Sequence, residues 1–325
     1  SQKKDTKQVL SILNNCVTNC SEKTPFSYYK LAFEQYDNGL YSEAFANLEL
    51  LKAKENVLQT NEKKKLYELQ SNCSIAISIK SSPIHFNPTN MGTSINTQFD
   101  DYHPAITVDE STFILTSNLP INTPQLLQED LFFSTKYEKE WLARKAFLPP
   151  MNTSSNEGAQ SISADGKTMI FTMCNAPNGL GSCDIYISYK VNNSWIKPEN
   201  IGAPINSKYW ESQPSLSADG RTLFFVSNRP GGIGKKDIWV SYVQKNGEWS
   251  TPRNLGKEIN TKDEEESPFI HADGNTLYFS SDGHPGMGKK DIFVTQQITD
   301  TSWLKPVNVG FPLNTHDKES HIIIN

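Results

Sequence analysis

The first part of the chain carries apolar residues at the spacing of amphipathic helices. Between residues 26 and 55 they recur every three or four positions, which places them on one face of a helix. They are Tyr29, Ala32 and Tyr36, followed by Ala44, Leu48 and Leu51. Asn38 and Gly39 separate the two groups, and a third helical stretch covers about residues 61–80. The pattern predicts a small α-helical domain over residues 1–82.

From about residue 84 the spacing changes to that of short β-strands. In one stretch, an alternating run from Glu211 ends at Asp219-Gly220, a pair typical of tight hairpin turns. The apolar run TLFFVS follows, then a glycine-rich loop and the strand DIWVSYV. The segment WSTPRNLG comes last, and its proline suits an edge strand. The stretch therefore predicts four strands, numbered from the inner to the outer one.

This four-strand pattern returns about every 54 residues. A tryptophan marks the outer strand and an aspartate begins the third strand: Trp141, Trp195, Trp249 and Trp303, with Asp130, Asp184, Asp237 and Asp291. Two further sets keep the same register: Asn152, Asn206, Asn260 and Asn314, with Glu157, Glu211, Glu265 and Glu319. Repeats of this length and content are typical of the blades of a β-propeller. We predict a mainly β fold, with a propeller over residues 83–325 that holds four complete four-stranded blades and the start of a fifth.

Residues 84–96 resemble the outer-strand segment of a blade, with His85 in the position of the tryptophan. We expect this segment to act as an outer strand that completes the last blade. A fifth unit begins at Glu319 and contains one strand of sequence. Because an open ring exposes unpaired strand edges, we expect the ring to be completed by a longer form of the chain or by another component.

The overall charge argues against two classes of partner. The chain has 31 Lys and Arg residues against 36 Asp and Glu residues, which gives a formal net charge of −5. This balance lacks the basic surface expected of a protein that binds nucleic acid or an acidic membrane. The sequence also contains no apolar run of roughly 20 residues, so we expect no transmembrane segment.

The recurring acids are the first candidates for catalysis, but their recurrence favours a structural role. A catalytic site is one asymmetric constellation, whereas Asp184 and Glu211 have counterparts in the other repeats. We predict that the aspartates accept hydrogen bonds from backbone amides of the preceding loop, and that the tryptophans pack between blades. The chain has no Gly-x-Ser-x-Gly motif and no closely spaced histidine pair. No catalytic residue, metal or cofactor is predicted, with a calcium or zinc site as the alternative.

Partner-binding residues are better sought where the repeats differ. The loops between blades place aromatic and cationic residues near the glycine-rich loops, a combination suited to a protein partner. The candidate residues are Tyr209, Trp210, Lys235, Lys236, Lys289 and Lys290. The alternative is that Trp210 caps the central channel and that the lysines are solvated.

The five cysteines are too few for a disulfide scaffold. Cys174 and Cys183 bracket one glycine-containing loop at the adjoining ends of two predicted antiparallel strands, so a disulfide is favoured there. Such a bond indicates an oxidising compartment, and two buried free thiols are the alternative. For Cys16, Cys20 and Cys73, bonding and simple packing both stay open.

The repeats resemble a known family. The phrase ESQPSLSADGRTLFFVSNRPGGIGKKDIW, which begins at Glu211, resembles the PD40 (WD40-like) repeats of TolB-type propellers, and the resemblance covers residues 84–325. The helical start resembles a tetratricopeptide repeat at Ala32, Gly39, Tyr41 and Ala44. This domain order is similar to that of the OmpA-family periplasmic proteins of Bacteroidetes, one of which belongs to the type IX secretion system. The resemblance implies about six blades and a periplasmic, outer-membrane-associated location.

Two functions follow from these features. The favoured one is a non-catalytic scaffold that holds protein partners in an outer-membrane assembly and reaches peptidoglycan only through domains absent from this sequence. The alternative is a glycan- or peptide-recognition or hydrolytic module with its active centre elsewhere. Stable protein partners favour the first function, and a saturable glycan ligand favours the second.

Overall fold

A computed structural model of the chain describes residues 6–20, 25–123 and 125–324. It confirms the predicted class, a mainly β chain with a helical start and a propeller, in which three of the described blades contain five strands and one contains four. The described residues divide into two compact units. Unit 1 contains residues up to 86 together with residues 284–291 and 308–319. Unit 2 contains residues 87–283, 292–307 and 320 onward. The domain boundary near residue 82 stays a prediction.

Unit 1 is built on four helices in the described part of the chain. They are α1 (Thr6–Cys20), α2 (Pro25–Tyr36), α3 (Tyr41–Lys52) and α4 (Thr60–Ser81). Gly39 connects α2 to α3 with a φ of +72°, a conformation that favours glycine. The apolar spacing in the sequence correctly predicts α2, α3 and α4, whose small and aliphatic residues Ala32, Ala44 and Leu48 are fully buried. The tetratricopeptide class of this helical unit stays a prediction.

Two loops of unit 1 pack on these helices. The Tyr36 hydroxyl donates to the Gly286 carbonyl at 2.9 Å, and the Tyr41 hydroxyl donates to the Met287 carbonyl at 2.8 Å. Met287 is 1% exposed and lies in the same apolar cluster as both tyrosines. Burial raises the pKa of the Tyr36 and Tyr41 phenols, which keeps both hydroxyls protonated and able to donate.

The strands form four antiparallel sheets, the blades of the propeller. Blade 1 contains β1 (Asp100–Ile106), β2 (Thr112–Pro120), β3 (Leu127–Tyr137), β4 (Glu140–Trp141) and β5 (Lys145–Ala146). Blade 2 contains β6 (Asn156–Ile162), β7 (Thr168–Cys174), β8 (Cys183–Val191), β9 (Ser194–Trp195) and β10 (Glu199–Asn200). Blade 3 contains β11 (Glu211–Leu216), β12 (Thr222–Ser227), β13 (Asp237–Tyr242) and β14 (Arg253–Asn254). Blade 4 contains β15 (Glu265–Ile270), β16 (Thr276–Ser281), β17 (Asp291–Thr299), β18 (Ser302–Trp303) and β19 (Val307–Asn308).

The repeated Asp-Gly phrases form the turns between the first two strands of a blade. Asp219 accepts hydrogen bonds from the Ser217 hydroxyl and from the Arg221 backbone N–H, and Gly220 has a φ of +68°. Asp165 makes the same bonds in blade 2. The side chain thus satisfies turn donors that the strand ladder leaves unpaired. In blade 1 Glu110 takes the glycine position, with a φ of +52°.

Apolar clusters join each blade to the next. The cluster between blades 1 and 2 contains Ile114, Leu131, Met151, Met169 and Phe171, with Trp195 against it. The cluster between blades 2 and 3 contains Ile170, Ile185, Ile205, Leu223 and Phe225, with Trp249 against it. The cluster between blades 3 and 4 contains Val226, Ile238, Ile259, Leu277 and Trp303. Each of these tryptophans therefore packs on the blade that precedes its own.

A buried asparagine holds the third strand of a blade to the loop that leads to the next blade. The Ile185 backbone N–H donates to Oδ1 of Asn206, and Nδ2 of Asn206 donates to the Ile185 carbonyl, both at 2.8 Å. Asn152 makes the same pair of bonds to Leu131, and Asn260 makes them to Ile238. The asparagine side chain supplies the acceptor for the third-strand N–H, and the carbonyl accepts a second bond from the backbone of the outer segment, as Ile185 does from Ile201.

Residues 83–99 differ from the prediction for this segment. The sequence predicts an outer strand that completes the last blade, but residues 83–99 contain no strand and form a turn around Thr93–Ile95. An outer strand needs a third strand beside it. Among the described residues, no strand is paired with this segment.

Removal of the Asn206 side chain should destabilise the protein. In Asn206→Ala the N–H of Ile185 stays buried without its acceptor, whereas its carbonyl keeps the bond from the Ile201 N–H, so we expect the free energy of unfolding to fall by about 2 kcal/mol. Urea unfolding followed by circular dichroism measures this change. Asn246→Ala, at an exposed turn, is the matched control and should change stability by less than about 0.5 kcal/mol. Equal effects of the two substitutions would contradict a stabilising role for the hydrogen bonds of Asn206.

Candidate binding site in the propeller channel

The aspartates that begin the third strands hold the preceding glycine loops. Asp184 accepts from the backbone N–H groups of Leu180 and Gly181, at 2.7 and 3.3 Å. Asp237 accepts in the same way from Ile233 and Gly234. Asp291 does so from Met287 and Gly288. Asp130 differs, because its loop has no glycine, and it accepts from the Gln128 side chain at 3.1 Å.

The recurring glutamates hold the loop that leads into each inner strand. Glu265 accepts from the Thr261 N–H and hydroxyl, both at 2.7 Å. Glu157, Glu211 and Glu319 bind the residue four positions earlier in the same way: Thr153, Ser207 and Thr315. Asp101 takes this role in blade 1, with Thr97 as its partner. Sequence reasoning missed Asp101, although a threonine four residues before an acid was the available signal.

Burial sets the protonation of two of these glutamates. Loss of solvent raises the pKa of Glu157 and of Glu265 to about 7. Glu211 has a different surrounding, because the Arg229 guanidinium lies 3.1 Å from its carboxylate. Arg229 also stacks on the rings of Phe225 and Trp239. Each of these glutamates accepts hydrogen bonds from its own loop.

Two of the predicted residues of unit 2, Trp210 and Lys236, contact each other. The Trp210 ring is half-buried, and the Lys236 ammonium lies 5.0 Å from its centre. Lys236 pairs with Glu266 at 2.6 Å, and Lys235 pairs with Asp263 at 3.1 Å. The acids neutralise much of the cationic character that the sequence suggests. Tyr209 is also half-buried, and a role in partner binding stays a prediction for all four residues.

The two predicted lysines of unit 1 differ in their exposure. Lys289 is exposed and lies 3.4 Å from the Asp317 carboxylate. Lys290 is 4% exposed, which leaves little of its surface for a partner. Binding through Lys289 and Lys290 stays a prediction.

A cavity of about 260 Å³ lies in the channel, where the inner segments of the repeats meet. The residues that line it come from β1, β6, β11, β15 and from residues 321–324. Most of them are apolar, for example Ile106, Ile162, Leu216 and Phe269. Ala218 lies at an exposed turn beside the cavity, and Ala164 and Ala272 occupy the same position in their repeats. Five inner segments thus surround one apolar cavity.

The inner strands carry a bulge at the cavity that turns selected residues toward it. His103, Ala159, Gln213 and Ser267 occupy the bulge, with φ between 48° and 54°. Ser267 is 7% exposed and lines the cavity, and its hydroxyl oxygen has no hydrogen-bond partner among the described residues. Because a buried polar atom without a partner is costly, Ser267 suits a ligand atom that can exchange a hydrogen bond with it.

Two histidines give the cavity a further polar edge. Nε2 of His321 lies 2.7 Å from Nε2 of His103, so one ring donates a hydrogen bond to the other. The Tyr102 ring stacks on His321, with 5.9 Å between ring centres. The described lining contains one carboxylate, from Glu110, and no lysine or arginine. The chemistry of the cavity therefore favours an apolar, uncharged group over a phosphate or another strong anion.

Cys174 and Cys183 form a disulfide, with 1.97 Å between the sulfur atoms. They lie opposite each other at the ends of β7 and β8. Cys16 and Cys73 carry free thiols. The side chain of Cys20 lies outside the described residues.

No group of histidine, cysteine, aspartate or glutamate side chains in the described segments could hold a metal ion. Across those same segments, no helix is both long and apolar enough to span a membrane.

No protein-family model matches the chain, and no curated protein matches it. Similar solved structures include TolB from Acinetobacter baumannii, with 17% sequence identity, a TM-score of 0.45, and coverage of 66% of this chain and 45% of that one. A putative TolB from Agrobacterium tumefaciens has 15% identity, a TM-score of 0.43, and coverage of 64% and 62%. A puromycin-hydrolyzing peptidase from Mycobacterium tuberculosis has 12% identity, a TM-score of 0.40, and coverage of 67% and 32%. The chain therefore spans less than two thirds of the length of these neighbours.

The buried glutamates predict a pH-dependent stability. Because the pKa of Glu265 rises from 4.5 to about 7 on folding, the folded state binds the proton more tightly. The resulting stabilisation is complete below pH 4.5 and is lost as the pH rises through about 7. Relative to Glu265→Gln, the wild-type protein should lose about 3 kcal/mol of unfolding free energy between pH 4.5 and pH 8. Urea unfolding at several pH values measures this, with the exposed Glu258→Gln as control. If the difference in unfolding free energy between wild type and Glu265→Gln stayed the same at all pH values, the raised pKa of Glu265 would be wrong.

The disulfide should contribute to stability through its short loop. The bond closes a loop with a sequence separation of 9, so its loss should lower the free energy of unfolding by about 2–3 kcal/mol. The double variant Cys174→Ser/Cys183→Ser tests this by urea unfolding. A reducing agent should lower the stability of the wild type to that of the variant and leave the variant unchanged. An effect of the reductant on the variant would show that another bond is responsible.

Proposed function

We propose that this protein is a non-catalytic binding module, and that its propeller channel receives apolar side chains of a protein partner. The observation that carries the proposal is the channel cavity. It combines apolar walls with the buried hydroxyl of Ser267, which has no hydrogen-bond partner in the described segments. Most ligand sites in proteins have this composition, in which apolar surface supplies affinity and a few polar atoms fix orientation.

The surroundings of the recurring acids support a module without catalysis. Asp184, Asp237 and Asp291 accept hydrogen bonds from the backbone of their own glycine loops. Glu211 and Glu265 hold the loops that connect the blades. A general acid or base must reach a substrate atom, whereas these carboxyl groups are buried against the protein itself.

The shape of the cavity supports a protein partner. Its wide apolar wall includes Pro104, Pro214 and Pro268, which restrict the inner strands beside it. A side chain such as leucine or phenylalanine, presented on a loop, would bury apolar surface there at about 25 cal/mol per Å². A backbone carbonyl of the same loop could accept from Ser267.

The proposal includes a location in the periplasm. A disulfide between Cys174 and Cys183 supports an oxidising compartment. Association with the outer membrane, membership of a type IX secretion system and a link to peptidoglycan through further domains rest on the resemblance of the repeats and of the domain order. These three points are the more specific part of the proposal.

Site-specific cross-linking tests this function. A photoreactive phenylalanine analogue in place of Ala218 should cross-link one defined protein in the cells that produce this chain. Ala164→Trp places a large ring at the edge of the cavity and should abolish that adduct, whereas Ala143→Trp, at an exposed position outside the cavity, should not. Absence of the adduct, or an equal adduct with Ala164→Trp, would refute partner binding in the channel. Saturable binding of the purified protein to a glycan array, blocked by Ala164→Trp, would support glycan recognition instead.

A further inference from the structure

A groove of about 680 Å³ lies between blades 1 and 2, beside the channel cavity. Its walls are largely apolar and include Phe133 and Phe147 of blade 1 and Trp195 of blade 2. The centres of the Phe133 and Phe147 rings lie 4.8 Å apart. Among the described residues, Ile162 alone lines both the groove and the cavity. The groove is therefore a second concave surface of unit 2, with aromatic walls.

The groove lies where blade 1 lacks a tyrosine. Five residues after the aspartate that begins the third strand, blades 2 and 3 have Tyr189 and Tyr242, whereas blade 1 has Thr135. Tyr242 packs on the cluster between blades 3 and 4, and its hydroxyl donates to the Asp300 carbonyl of blade 4 at 3.5 Å. Thr135 is exposed and lines the groove. The place that a tyrosine ring takes between blades 3 and 4 is thus open between blades 1 and 2.

Two further positions show the same difference between the junctions. Arg253 follows the outer-strand tryptophan of blade 3 by four residues, as Lys145 does in blade 1. The Arg253 guanidinium donates to the Tyr242 hydroxyl at 3.3 Å, whereas Lys145 is exposed in the groove. Trp303 is 4% exposed between blades 3 and 4, but Trp195 is half-buried between blades 1 and 2. An aromatic wall and a cation therefore stay accessible in the groove.

The groove has a positive charge. Lys145 and Lys190 line it, and the described part of its lining contains no aspartate or glutamate. The Lys190 ammonium lies 5.9 Å from the centre of the Trp195 ring. Lys235 and Lys236 differ, because acids pair with both of them. Aromatic walls with two lysines complement a ligand that carries both a ring and carboxylates.

We infer that this groove is a second binding site, and that it binds an acidic segment of a protein partner through a tyrosine or phenylalanine side chain. The ring takes the place that Tyr242 has between blades 3 and 4, and packs against Phe133 and Trp195. Carboxylates beside it in the segment pair with Lys145 and Lys190. A volume of about 680 Å³ exceeds what one ring needs, so the flanking residues fit as well. The inference goes beyond the channel proposal and does not depend on it.

A variant with a closed groove tests the inference. Thr135→Tyr/Lys145→Arg gives blade 1 the pair that Tyr242 and Arg253 form in blade 3, and the added ring should fill the groove. The probe is the peptide acetyl-Glu-Glu-Tyr-Glu-Glu-amide, titrated into the 325-residue chain by isothermal titration calorimetry at low salt. We expect one peptide to bind each wild-type chain saturably, with at least about a tenfold loss of affinity in the closed variant. Alanine in place of the peptide's tyrosine should cause a similar loss.

A charge reversal at one lysine supplies a second test. Lys145→Glu should weaken binding of the tyrosine peptide about tenfold at low salt and by less at about 0.5 M salt, because salt screens exposed charges. Lys245→Glu makes the same change of charge at an exposed position of blade 3 and should leave binding unchanged. The closed variant should melt at or above the wild-type temperature, since it gains the contacts that Tyr242 makes. If it unfolds instead, Lys145→Glu and the alanine peptide decide the outcome.

Four results would each overturn the inference. They are the absence of saturable binding, equal binding by a folded closed variant, equal binding of the alanine peptide, and equal weakening by Lys145→Glu and Lys245→Glu. N-acetyltyrosine amide alone should bind at least about tenfold more weakly than the peptide, because it lacks the flanking carboxylates. Equal affinity for this small molecule would assign the groove to a free aromatic compound and would contradict a protein segment.

Discussion

Hydrogen bonds between buried side chains and the backbone of loops and third strands hold this propeller together. A sheet satisfies the polar groups between its strands, but the connections between blades leave amides and carbonyls that water cannot reach. Asn206, Glu211 and Asp237 represent the three sets of side chains that satisfy them. Because the deficit recurs in every blade, the same residue types recur at the same spacing.

This constraint distinguishes the residues that stabilise the fold from the residues that are candidates for binding. Apart from Asp130, which accepts from the Gln128 side chain, the recurring acids accept hydrogen bonds from backbone groups that also repeat, so they are occupied before any ligand arrives. The inner-strand bulges hold a different residue in each repeat, His103, Ala159, Gln213 and Ser267, and three of these line the cavity together with His321. An asymmetric ligand requires such differences, and the unpartnered hydroxyl of Ser267 is one of them. The binding proposal follows from this contrast.

The sequence predicted the repeating part of the structure well, because constant spacing reveals equivalent positions directly. It correctly indicated the helices α2 to α4, the four blades and their turns. Asp101 escaped notice because aspartate replaces glutamate there. The ion pairs of Lys235 and Lys236 join one blade to the loop that follows it, and the channel cavity combines residues more than 200 positions apart. Those features depend on which segments the tertiary structure brings together, and no local pattern encodes this.

Native-state hydrogen exchange tests most directly whether the recurring side chains form the scaffold. The amides of Ile185, Ile238, Ser207 and Thr261 each donate to one of these side chains. If these bonds hold the blades, the four amides exchange only through global unfolding, as slowly as the central strands do. Fast exchange at these amides, with the strands still protected, would show that the recurring residues do not hold the blades together.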